Sequence, residues 1–80
     1  MVDESILKKV IELFSDMTEI PAEDITEDSE LIDDLEISSM DVLFLISSME
    51  EEFHISIPEK EIRRMVTVGD VVRIVQMLMK

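Results

Sequence analysis

Apolar residues recur at the spacing of an α-helix in three stretches of this chain, and that period limits the fold more than any other feature. In residues 3–17, Ile6, Leu7, Val10, Ile11, Phe14 and Met17 share one face, while Glu4, Lys8, Lys9, Glu12 and Asp16 fall elsewhere. Asp3 is placed as the N-cap, where a carboxylate accepts from an orphan amide and suits the helix dipole. In residues 38–53, Ser38 and Asp41 have the three-residue offset of a capping box. At about 100° per residue, Val42, Leu45, Ile46, Met49 and Phe53 form the buried stripe there, and Met40, Phe44, Ser47 and Glu51 gather on a nearly opposite face. In the last stretch Thr67 and Asp70 repeat the capping box, and Val68, Val71, Val72, Val75, Leu78 and Met79 are the expected core face. The single Gly69 sits in its first turn, where it costs less than mid-helix. Pro58 suits the first position of a short additional helix reaching Met65.

Residues 18–37 have no clean period. Pro21 interrupts them, and Glu23, Asp24, Thr26, Glu27, Asp28, Ser29 and Glu30 are scattered through them. A connection longer than about 12–15 residues is uncommon in a compact domain. Ile20, Ile25, Leu31, Ile32, Leu35 and Ile37 are therefore expected to anchor it against the helices. The fold class that follows is all-α: a small four-helix bundle of three principal helices and one short one, with a long loop between the first and second. Residues 1–80 make one domain, near the lower size limit for a core without staples. With no cysteine, neither disulfides nor cysteine chemistry is available. The interior is aliphatic and thioether, with three Phe, seven Met and no Trp or Tyr, and the methionines are suited to filling gaps or yielding an apolar cleft.

Twenty acidic against seven basic residues give a net charge of −13. Such a chain is repelled by phosphate backbones and anionic lipid, so neither nucleic acid nor a membrane is an expected partner, and basic protein surfaces are. Acidity also keeps a small protein soluble, and charge alone does not separate the two roles. The acidic N-terminus has no apolar signal region, which points to the cytoplasm. The longest apolar run, residues 42–46, is far short of the roughly 20 needed to span a bilayer. His54, the only histidine, stands at a helix end in a structural role, with no second His or Cys to build a zinc site. The acidic run lacks the Gly and spaced ligands of a calcium loop, and one glycine cannot make a phosphate-cradling loop. Without an oxyanion-hole or nucleophile-turn signature, the chain is not expected to be an enzyme.

The stretch Asp34-Leu35-Glu36-Ile37-Ser38-Ser39-Met40-Asp41, followed by Met49-Glu50-Glu51-Glu52-Phe53, resembles the acyl carrier protein family. The family pattern is Asp-Leu-Gly-x-Asp-Ser-Leu-Asp, then a helix closing in Leu-Glu-Glu-Glu-Phe, and the two parts stand here at the family's spacing. Ile55-Ser56-Ile57-Pro58 is similar to the family's Ile-Pro turn, and Thr67-Val68-Gly69-Asp70 to the start of its last helix. The resemblance implies a stand-alone monomeric carrier, with 4′-phosphopantetheine transferred from coenzyme A to Ser39 by a phosphopantetheinyl transferase. It further implies cargo held as a thioester and passed to acyl-transferring or condensing enzymes with basic docking surfaces, in fatty acid, polyketide or related biosynthesis. A serine in the first turn of a helix suits this attachment, since its phosphodiester lies near the helix's positive end.

Ser38 stands where the family has Asp, Glu36 where it has Gly, and Met40 where it has Leu. Leu to Met conserves volume. The Asp is associated in the family with metal-dependent attachment of the arm, a role for which Asp34, Glu36 and Asp41 are candidates. Ser38 is a rival attachment point, but as the better N-cap it is engaged with backbone amides. The unmodified carrier fold, acting as a helical protein-interaction module, is the alternative function. Phe44 stands where the family commonly has an acid. It either anchors a partly apolar docking face, with Asp33, Asp34, Glu36, Met40, Asp41, Ser47, Glu50 and Glu51, or tucks under the long loop as core. Lys60, Arg63 and Arg64 form a basic patch on the short helix that common members lack.

Overall fold

The computed structural model describes residues 2–79, and every helix begins where a side chain or a proline ends an extended approach. Helix α1 spans Glu4–Thr18. The Asp3 carboxylate caps it, accepting from the Ser5 hydroxyl at 2.7 Å and the Ser5 amide at 2.9 Å. These bonds, with a longer one from the Ile6 amide, hold the Asp3 carboxyl below its usual range. The helix stops at Glu19, which turns left-handed at φ 63° and donates its amide to the Ser15 carbonyl.

Helix α2 spans Ser39–Phe53 and carries the expected capping box: the Asp41 amide donates to the Ser38 hydroxyl at 3.3 Å, and the Ser38 amide to the Asp41 carboxylate at 3.2 Å. His54 closes it in the left-handed region at φ 54°. Helix α3 is shorter than the sequence suggests, Glu59–Ile62 only, and Pro58 is its N-cap and not its first helical residue. With ψ at 150°, Pro58 stays extended, and Arg64 and Met65 form tighter turn bonds to Glu61 and Ile62. Helix α4 spans Val68–Leu78 behind the Thr67–Asp70 capping box.

Helix α1 packs on both α2 and α4. Val10, Phe14, Leu45, Met49, Val68, Val71, Val72 and Val75 are fully or almost fully buried at the centre, each contributing about 1.5–3 kcal/mol by leaving water. Ile74 is also buried, but on the flank of α4 beside Glu61, Arg64 and Met77 and outside this central cluster, while Met79 lies past the helix end and is exposed, against expectation. The described residues contain four α-helices and no strand, as the periodicity predicts. None of these helices is long and apolar enough to cross a membrane.

The long connection is pinned at both ends of its course. A 3₁₀ turn, Ala22–Asp24, leads to buried Ile25, and Leu31, Leu35 and Ile37 follow it into the core. Ile32 does not anchor. The Asp34 and Leu35 amides both close on the Glu30 carbonyl, and in a turn of that pitch Leu31 and Leu35 share the inner side while Ile32 faces out. A short antiparallel bridge then ties the loop to the start of α4. Leu31 donates to the Val66 carbonyl at 2.9 Å, Val68 to Ser29 at 3.0 Å, and Gly69 to Glu27 at 2.8 Å. Gly69 permits that last approach, because a Cβ there would stand 2.8 Å from Glu27 Cγ and 3.2 Å from its carbonyl oxygen.

Candidate functional site

The two adjacent serines have different surroundings. The Ser38 hydroxyl is the N-cap of α2 and accepts from the Asp41 amide. Ser39 is the first helical residue, exposed, and its hydroxyl makes no hydrogen bond among the described residues. It stands at the positive end of a 15-residue helix, where first-turn amides lack intrahelical partners. The backbone leading to it is fixed from behind. Leu35 and Ile37 are buried, and the Ile37 amide donates to the Leu31 carbonyl at 3.0 Å. Between those two anchors Glu36 is left-handed, with φ 53°. A glycine takes that conformation without steric cost, which gives a physical reason for the glycine in the family pattern at this position.

Ser39 lies on the edge of a groove of about 750 Å³ between the long connection, α2 and α3. Leu31, Val42, Ile57, Ile62 and Met65 give the groove an apolar floor, and Ile32, Leu43, Glu59 and Arg63 form its exposed rim. The sequence reading allowed for an apolar cleft but did not locate this groove. One wall, residues 57–65, is distant in the chain from the long connection and α2, and no local pattern brings Ile57 or Met65 to the same groove as Val42. An exposed hydroxyl at a helix N-terminus, next to an apolar groove, fits a phosphodiester-linked arm with an apolar cargo.

The outward face of α2 is as apolar as the sequence suggests. Met40, Leu43 and Phe44 are 79%, 61% and 67% exposed. Phe44 therefore does not tuck under the long loop. It borders a smaller cleft between α1 and α2 with Leu13, Asp16 and Met17. Ser47 and Glu51 are exposed on the same helix, and Leu43 is an addition that the sequence reading passed over. The acidic residues divide by what they already bind. Asp34 accepts from the Glu30 amide at 2.8 Å, and Asp41 from the Ser38 amide. Glu50 is half-buried and accepts from the Ile57 amide at 2.8 Å, so it closes the α2–α3 connection. Glu36 and Asp33 are exposed and make no such bond. The basic patch at and just past α3 is balanced in part: Arg63 pairs with Glu59 at 3.0 Å and Arg64 with the buried Glu61 at 3.8 Å, while Lys60 is exposed with no ion pair among the described residues. No group of three His, Cys, Asp or Glu among the described residues is arranged to hold a metal ion.

Comparison with known proteins agrees with this geometry. The family model described as a phosphopantetheine attachment site matches residues 8–75. The acyl carrier protein of Wolinella succinogenes is 35% identical over 72 residues, covering 90% of this chain and 95% of that one. That of Clostridium acetobutylicum is 38% identical over 71 residues, covering 89% and 92%. Among solved structures, an acyl carrier protein from Enterococcus faecalis superposes with a TM-score of 0.81 at 28% identity, covering 98% of this chain and 99% of that one. The capped helix with its free first-turn serine, the groove beside it and these matches over most of the sequence lead to one assignment: the chain belongs to the acyl carrier protein family, whose prosthetic group is 4′-phosphopantetheine.

Proposed function

We propose that this chain is a one-domain, monomeric cytoplasmic carrier, not itself catalytic, which bears its phosphopantetheine on Ser39 and presents a thioester to separate biosynthetic enzymes of a fatty acid, polyketide or related pathway. The observation that carries this reading is the division of labour between the two serines. Ser38 is committed to the Asp41 amide, and Ser39 is exposed with a free hydroxyl. The arm, when attached, supplies a thiol that this cysteine-free chain otherwise lacks. The chain's own residues do the rest. The α2 dipole favours a phosphate at Ser39, and the groove floor of Leu31, Val42 and Ile62 offers an apolar cargo shelter from water. The expected partners are a phosphopantetheinyl transferase and acyl-transferring or condensing enzymes.

The test is loading. The purified protein is incubated with coenzyme A, magnesium and a broad-specificity phosphopantetheinyl transferase, and its intact mass and modified peptide are read. One phosphopantetheine group is expected on the wild type and on Ser38→Ala, and none on Ser39→Ala. Ser38→Ala should also lose about 1 kcal/mol of stability, because it removes the α2 cap. Absence of loading with several transferases, beside a control carrier that is loaded, would favour the unmodified interaction module. The departures Ser38 and Met40 from the family pattern are what support that second reading.

A further inference from the structure

In a chain with 20 acidic residues, the segment 39–49 of α2 contains one, Asp41, and its carboxylate is occupied by the Ser38 amide at 3.2 Å. The outward face of the helix next to the attachment serine thus carries a single carboxylate. Apolar surface takes the place of charge. Of the seven large hydrophobic residues exposed among the described residues, four lie here: Ile32, Met40, Leu43 and Phe44. They adjoin one another. Met40 lies three residues before Leu43 and four before Phe44, which makes them neighbours on the helix surface, and Ile32 and Leu43 line the same groove. The chain buries Phe14 completely and Phe53 in part, yet leaves Phe44 in solvent. Isolated exposed apolar residues are ordinary, but a contiguous group around a functional residue marks an interaction surface. Off the helix, Asp16 of α1 borders the Phe44 cleft and the Glu59–Arg63 pair stands on the groove rim; along the chain itself, charge returns at the two ends of the segment. Asp33, Asp34 and Glu36 lie before the helix, and Glu51 follows twelve residues after Ser39, about 18 Å along the axis.

We propose that this face docks on the enzymes that load and use the carrier through an apolar recess that receives Phe44, flanked on both sides by basic side chains. Burial of Phe44, Met40 and Leu43 sets the affinity, and the terminal carboxylates steer the approach. This rests on the carrier reading, since it names the partner chemistry of the same site.

The experiment measures the KM and kcat of the wild type and variants for loading, using the phosphopantetheinyl transferase that loads the chain fastest. Phe44→Ser is expected to raise KM about tenfold with kcat changed less than about twofold, and Phe44→Leu to stay within about threefold of wild type. Met40→Ser, at a position still more exposed than Phe44, gives a second variant with a rise of about threefold. Wild-type KM is expected to rise less than about threefold between 50 and 300 mM NaCl. Loading of Phe44→Ser at wild-type KM, or a salt-driven rise in wild-type KM above about tenfold, would overturn the apolar docking while leaving the carrier reading intact. A wild type that no transferase loads overturns both.

Discussion

A left-handed backbone costs about 1–2 kcal/mol at any residue with a Cβ. Glu19, Glu36 and His54 bear it in this molecule. For Glu19 and His54 the conformation closes a helix, and their amides satisfy carbonyls at the ends of α1 and α2. Glu36 closes no helix and makes no side-chain bond, so its strain has no local return. Glu36→Gly is therefore expected to stabilise the fold by about 0.5–1 kcal/mol, the relief of strain exceeding glycine's larger loss of chain entropy. A urea-unfolding midpoint above wild type is the expected result, and a lower one would show that the Glu36 side chain contributes contacts. The opposite exchange at the one native glycine should fail. Alanine at position 69 gains about 0.8–1 kcal/mol of helix propensity. Its Cβ, however, would stand 2.8 Å from Glu27 Cγ and 3.2 Å from the carbonyl that accepts the position-69 amide. Gly69→Ala is expected to cost about 1 kcal/mol net, because overpacking at a closed contact displaces backbone. An unchanged or higher midpoint would mean that the loop moves aside freely.

At the scale of the elements, each long helix starts on a cap that lies within three or four residues of sequence, and this is why the caps are legible there. Asp3, Ser38 with Asp41, and Thr67 with Asp70 all take the places that spacing assigns them. The candidate attachment serine was legible for the same reason, because its freedom follows from which neighbour caps the helix. What was not legible depends on distant partners. Ile32 carries the same composition signal as Leu31, and only the Glu30 turn sends one out and the other in. Glu50 reads as a surface acid until the α2–α3 connection brings the Ile57 amide to it, and α3 is too short for periodicity to bound. The α4 cap makes a testable unit of its own. Partial burial raises the Asp70 pKa, but hydrogen bonds from Arg73 and from the Thr67 and Val66 amides outweigh it and hold the carboxyl below 3.8. The charged form is the stabilising one, so its contribution is complete well above pH 3.8 and is lost as pH falls through the depressed folded value. Asp70→Asn is expected to be about 1 kcal/mol less stable than wild type at pH 7, with the gap closing as pH falls from about 5 through that depressed folded value. A gap constant over that range would assign the Asp70 contribution to shape and not to charge.

Over the whole molecule, the net charge of −13 lies within extents of 29 × 26 × 19 Å. Two electrostatic effects of opposite sign act on its stability, and their ranges differ. The ion pairs are short contacts, from 2.6 Å for Arg73–Asp70 to 3.9 Å for Arg73–Glu27, and mostly exposed, so each contributes about 0–1 kcal/mol. The repulsion among carboxylates is long-ranged and has no partner to cancel it. At 0.01 M salt the screening length is about 30 Å, as large as the molecule, and every carboxylate acts on every other. At 0.1 M it is about 10 Å, so only neighbours interact, while pairs closer than 4 Å keep most of their attraction. Added salt therefore removes repulsion faster than attraction. Raising NaCl from 10 to 300 mM is expected to raise the Tm by several degrees, since about 1 kcal/mol corresponds to about 4–8 °C in a domain of this size. Between 50 and 300 mM NaCl the loading KM should rise less than about threefold, so stability and recognition respond differently to one variable. A Tm that falls with salt would mean that the ion pairs, above all Lys9–Glu52 between α1 and α2, outweigh the net charge in holding the helices together.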